Sequence, residues 1–210
     1  MKNISISILV CLVASIAVAE EEKEGAKVEP NTRPAGEVVL KFERKIEIPE
    51  IKRFSEDGVL EIFPGDVVHL EFQEVDGKLV NPQVVAKVSN PKRTITFKVT
   101  QDESITMLSR TSEIQQTVAL DCAHRELGSE GFTPTNLRPT EKGLGSYDSW
   151  SNTVWMFRLS NIEVTSKSAS EVYEGKISIR QDEENESSEQ DDADQPAADS
   201  ESNPEGDSNP

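Results

Sequence analysis

Three side chains in this sequence are of the kind that holds a soft metal or activates a nucleophile: His69, Cys122 and His124. Cys122 and His124 are two residues apart, so on a strand they point to the same side. Thiolate and imidazole together suit copper or zinc, and a His2Cys set with a weak axial methionine is the blue-copper arrangement. Met107 and Met156 provide that residue type. Read instead as covalent chemistry, Cys122 is a nucleophile with His124 or His69 as its base, although strand neighbours two apart sit side by side rather than in line. The plain alternative is that Cys122 is a small buried hydrophobe and the histidines do no chemistry.

A second set of residues could bind rather than react. The segment from Gly128 to Asn152 reads as one long irregular stretch, punctuated by Gly131, Pro134, Pro139, Gly143 and Gly145. Such a stretch is more often functional, or packed as a lid, than idle. Tyr147 and Trp150, with Arg138 and Asn136 nearby and Trp155 just beyond, are of the type that forms a platform for a sugar or a peptide, because flat rings with polar tips suit such ligands. The competing use of the same rings is to tie the loop inward. No Gly-x-Ser-x-Gly elbow, His-Glu-x-x-His, Walker motif or dinucleotide fingerprint occurs, and the chain is expected not to be an enzyme.

The elements that must carry these residues read as short strands between turns. Phe63-Pro64-Gly65-Asp66 presets a tight turn, and Val68, Leu70 and Phe72 then share one face of a strand. Asp76-Gly77 is a favoured type I′ hairpin pair and returns the chain toward Val85, with Pro82 marking an edge or a bulge. Val38 to Ile48 reads as one strand interrupted at Arg44, Thr94 to Thr100 as another, and Val59 to Phe63 as a short one. Gln101 to Ser112 fits either a strand or a helical turn. Ser112 and Gln115 could open a helix as a capping box, but the period of two through Val118, Leu120, Cys122 and His124 favours a strand from about Thr117 to Arg125. Thr153 to Val164 is apolar on both faces and reads as a central strand; Ser166 to Ser170 reads as a turn and Val172 to Ile179 as a last strand.

This pattern predicts an all-β fold, an antiparallel β-sandwich of Ig-like or cupredoxin-like Greek-key type. A Pro-Gly-Asp turn ahead of a histidine-bearing strand, in so strand-rich a chain, resembles the cupredoxins. The resemblance implies a copper site on His69, Cys122 and His124. The sequence departs from that family's pattern, which places the second histidine further beyond the cysteine and a methionine shortly after it; here no methionine follows within the loop.

Targeting and charge frame the domain. Lys2, the apolar run Ile4 to Val18 and Ala17-Val18-Ala19 read as a signal peptide over 1–19, too short for a comfortable membrane span and ending in a cleavage pattern. The mature protein is then secreted or periplasmic, with no membrane span and with Cys122 as its one cysteine, so without an internal disulfide. Residues 20–35 read as a flexible entry, 36–180 as the β domain and 181–210 as a disordered acidic tail. The chain's formal net charge is −17, and the twelve acids after Arg180, with no Lys or Arg among them, account for −12 of it. Nothing is basic enough for nucleic acid. The expectation is an exported, non-catalytic module binding a partner protein or glycan without a cofactor, the alternative being a copper or zinc protein.

Overall fold

Turn chemistry sets the strand pairing. A computed structural model describes residues 29–176. The expected signal peptide over 1–19, most of the expected entry segment and the expected acidic tail lie outside the described residues. In chain order the strands are β1 (Thr32–Arg33), β2 (Gly36–Val39), β3 (Lys45–Ile48), β4 (Ile51–Lys52), β5 (Leu60–Ile62), β6 (Val67–Val75), β7 (Lys78–Val85), β8 (Thr94–Gln101), β9 (Thr106–Ser112), β10 (Thr117–Glu126), β11 (Thr133–Thr135), β12 (Gly145–Trp150) and β13 (Val154–Thr165). One short helix, α1 (169–176), follows.

The paired strands are antiparallel throughout. A five-stranded sheet has the order β12-β9-β8-β6-β7, and a four-stranded sheet the order β11-β10-β13-β5. The Phe63–Asp66 turn closes with Asp66 N–H donating to the Phe63 carbonyl at 3.0 Å, and Gly65 takes φ 89°. Asp76 (φ 50°) and Gly77 (φ 72°) turn β6 into β7 with Val75 opposite Lys78, as the left-handed pair of a type I′ turn requires. Pro82 sits in β7, which is an edge strand with a register break.

The two sheets share one core. Val68, Leu70 and Phe72 of β6, Ile95, Phe97 and Val99 of β8, and Leu108 of β9 meet Leu60 and Ile62 of β5, Leu120 and Cys122 of β10, and Phe157 and Leu159 of β13. Burying a side chain of this size stabilises by about 1.5–3 kcal/mol, which is how the described residues, with no disulfide among them, hold together. β13 lies between β10 and β5 and also sends Met156 into a second cluster with Val38, Leu40, Ile48 and Phe63. It is therefore covered on both faces along its first half.

Four local readings need correction. Val38 to Ile48 is a hairpin, β2 paired with β3, because Leu40 N–H bonds the Arg44 carbonyl at 2.7 Å and the chain reverses through a 3-10 turn at Lys41–Glu43. The segment 128–152 is not one irregular stretch: β11 pairs with β10 and β12 pairs with β9. The described part of the last predicted strand, 172–176, is helical. Its start is a capping box in which Ser168 Oγ accepts from Glu171 N–H at 3.3 Å while the Glu171 carboxylate accepts from Ser168 N–H at 2.8 Å. Finally, Thr32 and Arg33 belong to the ordered structure, not to a flexible entry: β1 pairs with β4, and the Arg33 guanidinium lies over the Phe63 ring at 4.9 Å and 3.5 Å from Asp66.

Candidate functional site

β12 carries two of the four predicted binding residues and is placed by two glycines. Gly143, at φ 66°, turns the chain with its N–H on the Ile114 carbonyl at 2.7 Å. Gly145 begins the strand where a Cβ would stand 3.2 Å from the Arg110 carbonyl, so a side chain there would push β12 away from β9. Alternation along the strand then sends Ser146, Asp148 and Trp150 one way and Tyr147 and Ser149 the other. Tyr147 is 73% exposed. The Trp150 ring packs inward, its centroid 4.8 Å from Phe157 and 5.6 Å from His124.

The predicted platform of Tyr147 and Trp150 is therefore split. Three residues apart on a strand is an odd spacing, which puts the two rings on opposite faces. Arg138 lies on the surface, with its guanidinium over the Tyr173 ring of α1 at 5.6 Å, and Asn136 is exposed in the same segment. Trp155 packs against the second cluster, under the Arg125 guanidinium at 5.2 Å.

The metal candidates are not brought together. Cys122 and His124 do share the inward face of β10, 4% exposed each. His124 Nδ1 lies 3.2 Å from Thr135 Oγ1 and Nε2 3.4 Å from Glu126. His69 is on the other sheet, where Val68 and Leu70 take the inward positions; its Nδ1 bonds Thr96 Oγ1 at 2.8 Å on the outer face. Of the candidate axial ligands, Met156 is in the second cluster and Met107 points away from the inward-facing Leu108. Among the described residues no three His, Cys, Asp or Glu gather as a metal set. In this arrangement His69 does not meet Cys122 and His124. Burial pushes the Cys122 thiol up to about 12, with the Arg110 charge pulling weakly the other way, so at neutral pH the sulfur is a thiol and a poor nucleophile.

What the sequence reading missed is a buried ion pair behind β12. Arg110 occupies an inward position of β9 and is 0% exposed. Its Nη1 donates to the Arg138 carbonyl at 2.7 Å and its Nη2 pairs with the Asp148 carboxylate, while Nε is buried without a hydrogen-bond partner. Burial raises the Asp148 carboxyl above the ordinary range against the attraction of Arg110. Burial also lowers Arg110, but a guanidinium stays charged, so the titrating member of the pair is Asp148. The available signal was a pair of charges at core-facing positions of their strands: Arg110 in step with Thr106 and Leu108, and Asp148 in step with Trp150.

β12 is thus a strand held from behind by Arg110 and Trp150, with Tyr147 on its open face and its far edge at the end of the sheet order. Comparison with known proteins finds no matching family model, no matching curated protein and no matching solved structure.

Proposed function

We propose that this chain is an exported, secreted or periplasmic module, a β-sandwich of Ig-like or cupredoxin-like Greek-key type, that binds a partner protein and catalyses nothing itself. The contact surface is the segment from Gly128 to Asn152, centred on β12. The observation that carries this reading is Tyr147, the most exposed large apolar side chain among the described residues, on β12, the strand at one end of the five-stranded sheet order. Natural edges are blunted by lysine, proline or bulges. β7, at the opposite end of the same sheet, has Lys78, Pro82 and a register break. The β12 sequence Gly-Ser-Tyr-Asp-Ser-Trp has no lysine, proline or register break, and its one charge, Asp148, is turned inward to Arg110. A strand with free backbone groups and one aromatic on its face suits addition of an extended polypeptide. A sugar platform would want both rings on one face, which favours protein over glycan.

Tyr147→Ala and Trp150→Ala separate binding from packing. Loss of a retained partner from extracts of the source organism, at an unchanged melting temperature, is expected for Tyr147→Ala. Trp150→Ala is expected to lower stability by about 3 kcal/mol through the lost packing. Retention of the same proteins by Tyr147→Ala would overturn the reading.

A further inference from the structure

The hairpin of β2 and β3 presents a second surface, formed differently. At its tip Phe42 (φ 57°) and Glu43 (φ 55°) both take left-handed backbone, a conformation that costs non-glycine residues energy and is kept only where surroundings enforce it. Burial of the ring does not repay that cost: Phe42 is 67% exposed, and Val39 beside it is 56% exposed. The turn is tied from behind. Lys41 N–H donates to Gln101 Oε1 at 2.7 Å, and the Lys41 ammonium, on a residue 4% exposed, donates to the Ser104 and Ser151 carbonyls at 2.9 and 2.8 Å. The result is an aromatic ring held out rigidly from a strained turn.

That turn forms one wall of a cleft of about 660 Å³, lined largely by apolar surface, with Pro64-Gly65 and the end of β8 also lining it. Four acidic residues line it, Glu37, Glu43, Asp102 and Glu103, with Lys41 and Lys98. Lys41 is taken up by carbonyls, and Glu37 is paired with Lys45 at 2.7 Å. Glu43 and Glu103 make no ion pair among the described residues. With Lys41 and Lys98 counted, the lining residues carry a formal net charge of −2 around an exposed aromatic. This sign disfavours phosphate, nucleic acid and the chain's own acids beyond Arg180, which carry the same charge.

We propose that this cleft binds a partner polypeptide segment in which an apolar side chain is flanked by Lys or Arg: the apolar group packs on Phe42 and Val39, and the cations meet Glu43 and Glu103. The inference uses no side chain of β12, although the Lys41 ammonium is anchored on the Ser151 carbonyl just beyond that strand.

The test is fluorescence anisotropy with a labelled peptide, Lys-Ser-Lys-Leu-Lys-Ser-Lys, titrated with the protein. Two control peptides replace the leucine with serine or every lysine with glutamate. Saturable binding of the first peptide alone is expected, weakened about tenfold by Phe42→Ser and by Glu103→Lys, each tenfold corresponding to about 1.4 kcal/mol. Tyr147→Ala leaves it unchanged, so failure here and failure of the edge reading are distinguishable. Because Glu103→Lys leaves the strained turn untouched, it keeps the test valid if Phe42→Ser alters folding. Absence of saturation, equal binding of the serine control, or insensitivity to both substitutions would overturn the proposal. So would sedimentation showing a dimer that the peptide cannot enter and that Phe42→Ser dissociates, because a second copy would then be the occupant.

Discussion

The two exposed aromatics, Tyr147 and Phe42, each stand next to a residue engaged in buried charge, and they differ in what holds them. Tyr147 lies on regular strand, where alternation alone turns it outward; behind it the half-buried Asp148 carboxylate meets the fully buried Arg110 guanidinium. Phe42 lies on left-handed backbone, and behind it Lys41 is met by Gln101 and two carbonyls, with no carboxylate bonded to its ammonium. One ring is on show because the strand period puts it there. The other is on show because a neighbouring side chain, anchored in the interior, holds the turn in a shape it would not keep alone. The first arrangement is fixed by core energetics and the second by local hydrogen bonds, so the two respond differently to substitution.

Arg110→Leu is expected to have the largest effect. It leaves the Arg138 carbonyl and the Asp148 carboxylate without their donor, and a loss of about 4 kcal/mol in chemical denaturation follows from breaking a buried pair. A loss below about 1 kcal/mol would mean that the pair contributes little and that β12 is held by Trp150 alone. Lys41→Met should cost less, about 2 kcal/mol, the scale of charge-assisted hydrogen bonds to neutral carbonyls. Its sharper signature is a mobile Phe42, read as lost amide protection at 41–44 by hydrogen exchange while β12 stays protected.

Much of this framework was legible beforehand, and the reasons are specific. Asp76-Gly77 and Pro64-Gly65 are turn pairs with few alternatives, and Ile95, Phe97 and Val99 alternate too cleanly to be anything but a half-buried strand. The inward pairing of Cys122 with His124 also followed from spacing. β12 was hidden because two of its three inward residues, Ser146 and Asp148, are polar, which erases the period-two signal. The Val38–Ile48 hairpin was hidden because its turn uses Phe and Glu in left-handed backbone where Gly or Asn would announce a reversal. Lys41 escaped notice because composition gives no hint that a cation is buried, whereas Arg110 left a trace in its core-facing place in step with Thr106 and Leu108. The place of His69 beside Glu71, on the face opposite Val68 and Leu70, was legible from the same period of two.

Two smaller effects sharpen the comparison further. Phe42→Gly removes the backbone penalty at φ 57° and is expected to raise stability by about 1 kcal/mol, whereas Tyr147→Gly on regular strand should lower it. Equal signs for the two would remove the distinction between an imposed and an incidental exposure. The last difference is in pH. Asp148, raised by burial, keeps its proton in the folded state above the ordinary aspartate value of 3.8. Its contribution to stability is therefore present below that value and is lost as pH rises through the raised one. The melting temperature of Asp148→Asn, compared with that of the wild type across mildly acidic pH, should lack this decline; parallel curves would show that Asp148 titrates normally.

The most direct test of the binding reading is site-specific photo-crosslinking. A benzophenone side chain replaces Tyr147 on the face of β12, and in a second preparation replaces Glu163, exposed on β13. Both proteins are irradiated in an extract of the source organism and the products are identified by mass spectrometry. A discrete protein adduct formed from position 147 and absent from position 163 is the predicted result. Identical adducts from both positions, or none from position 147, would contradict the claim that β12 is where this protein meets its partner.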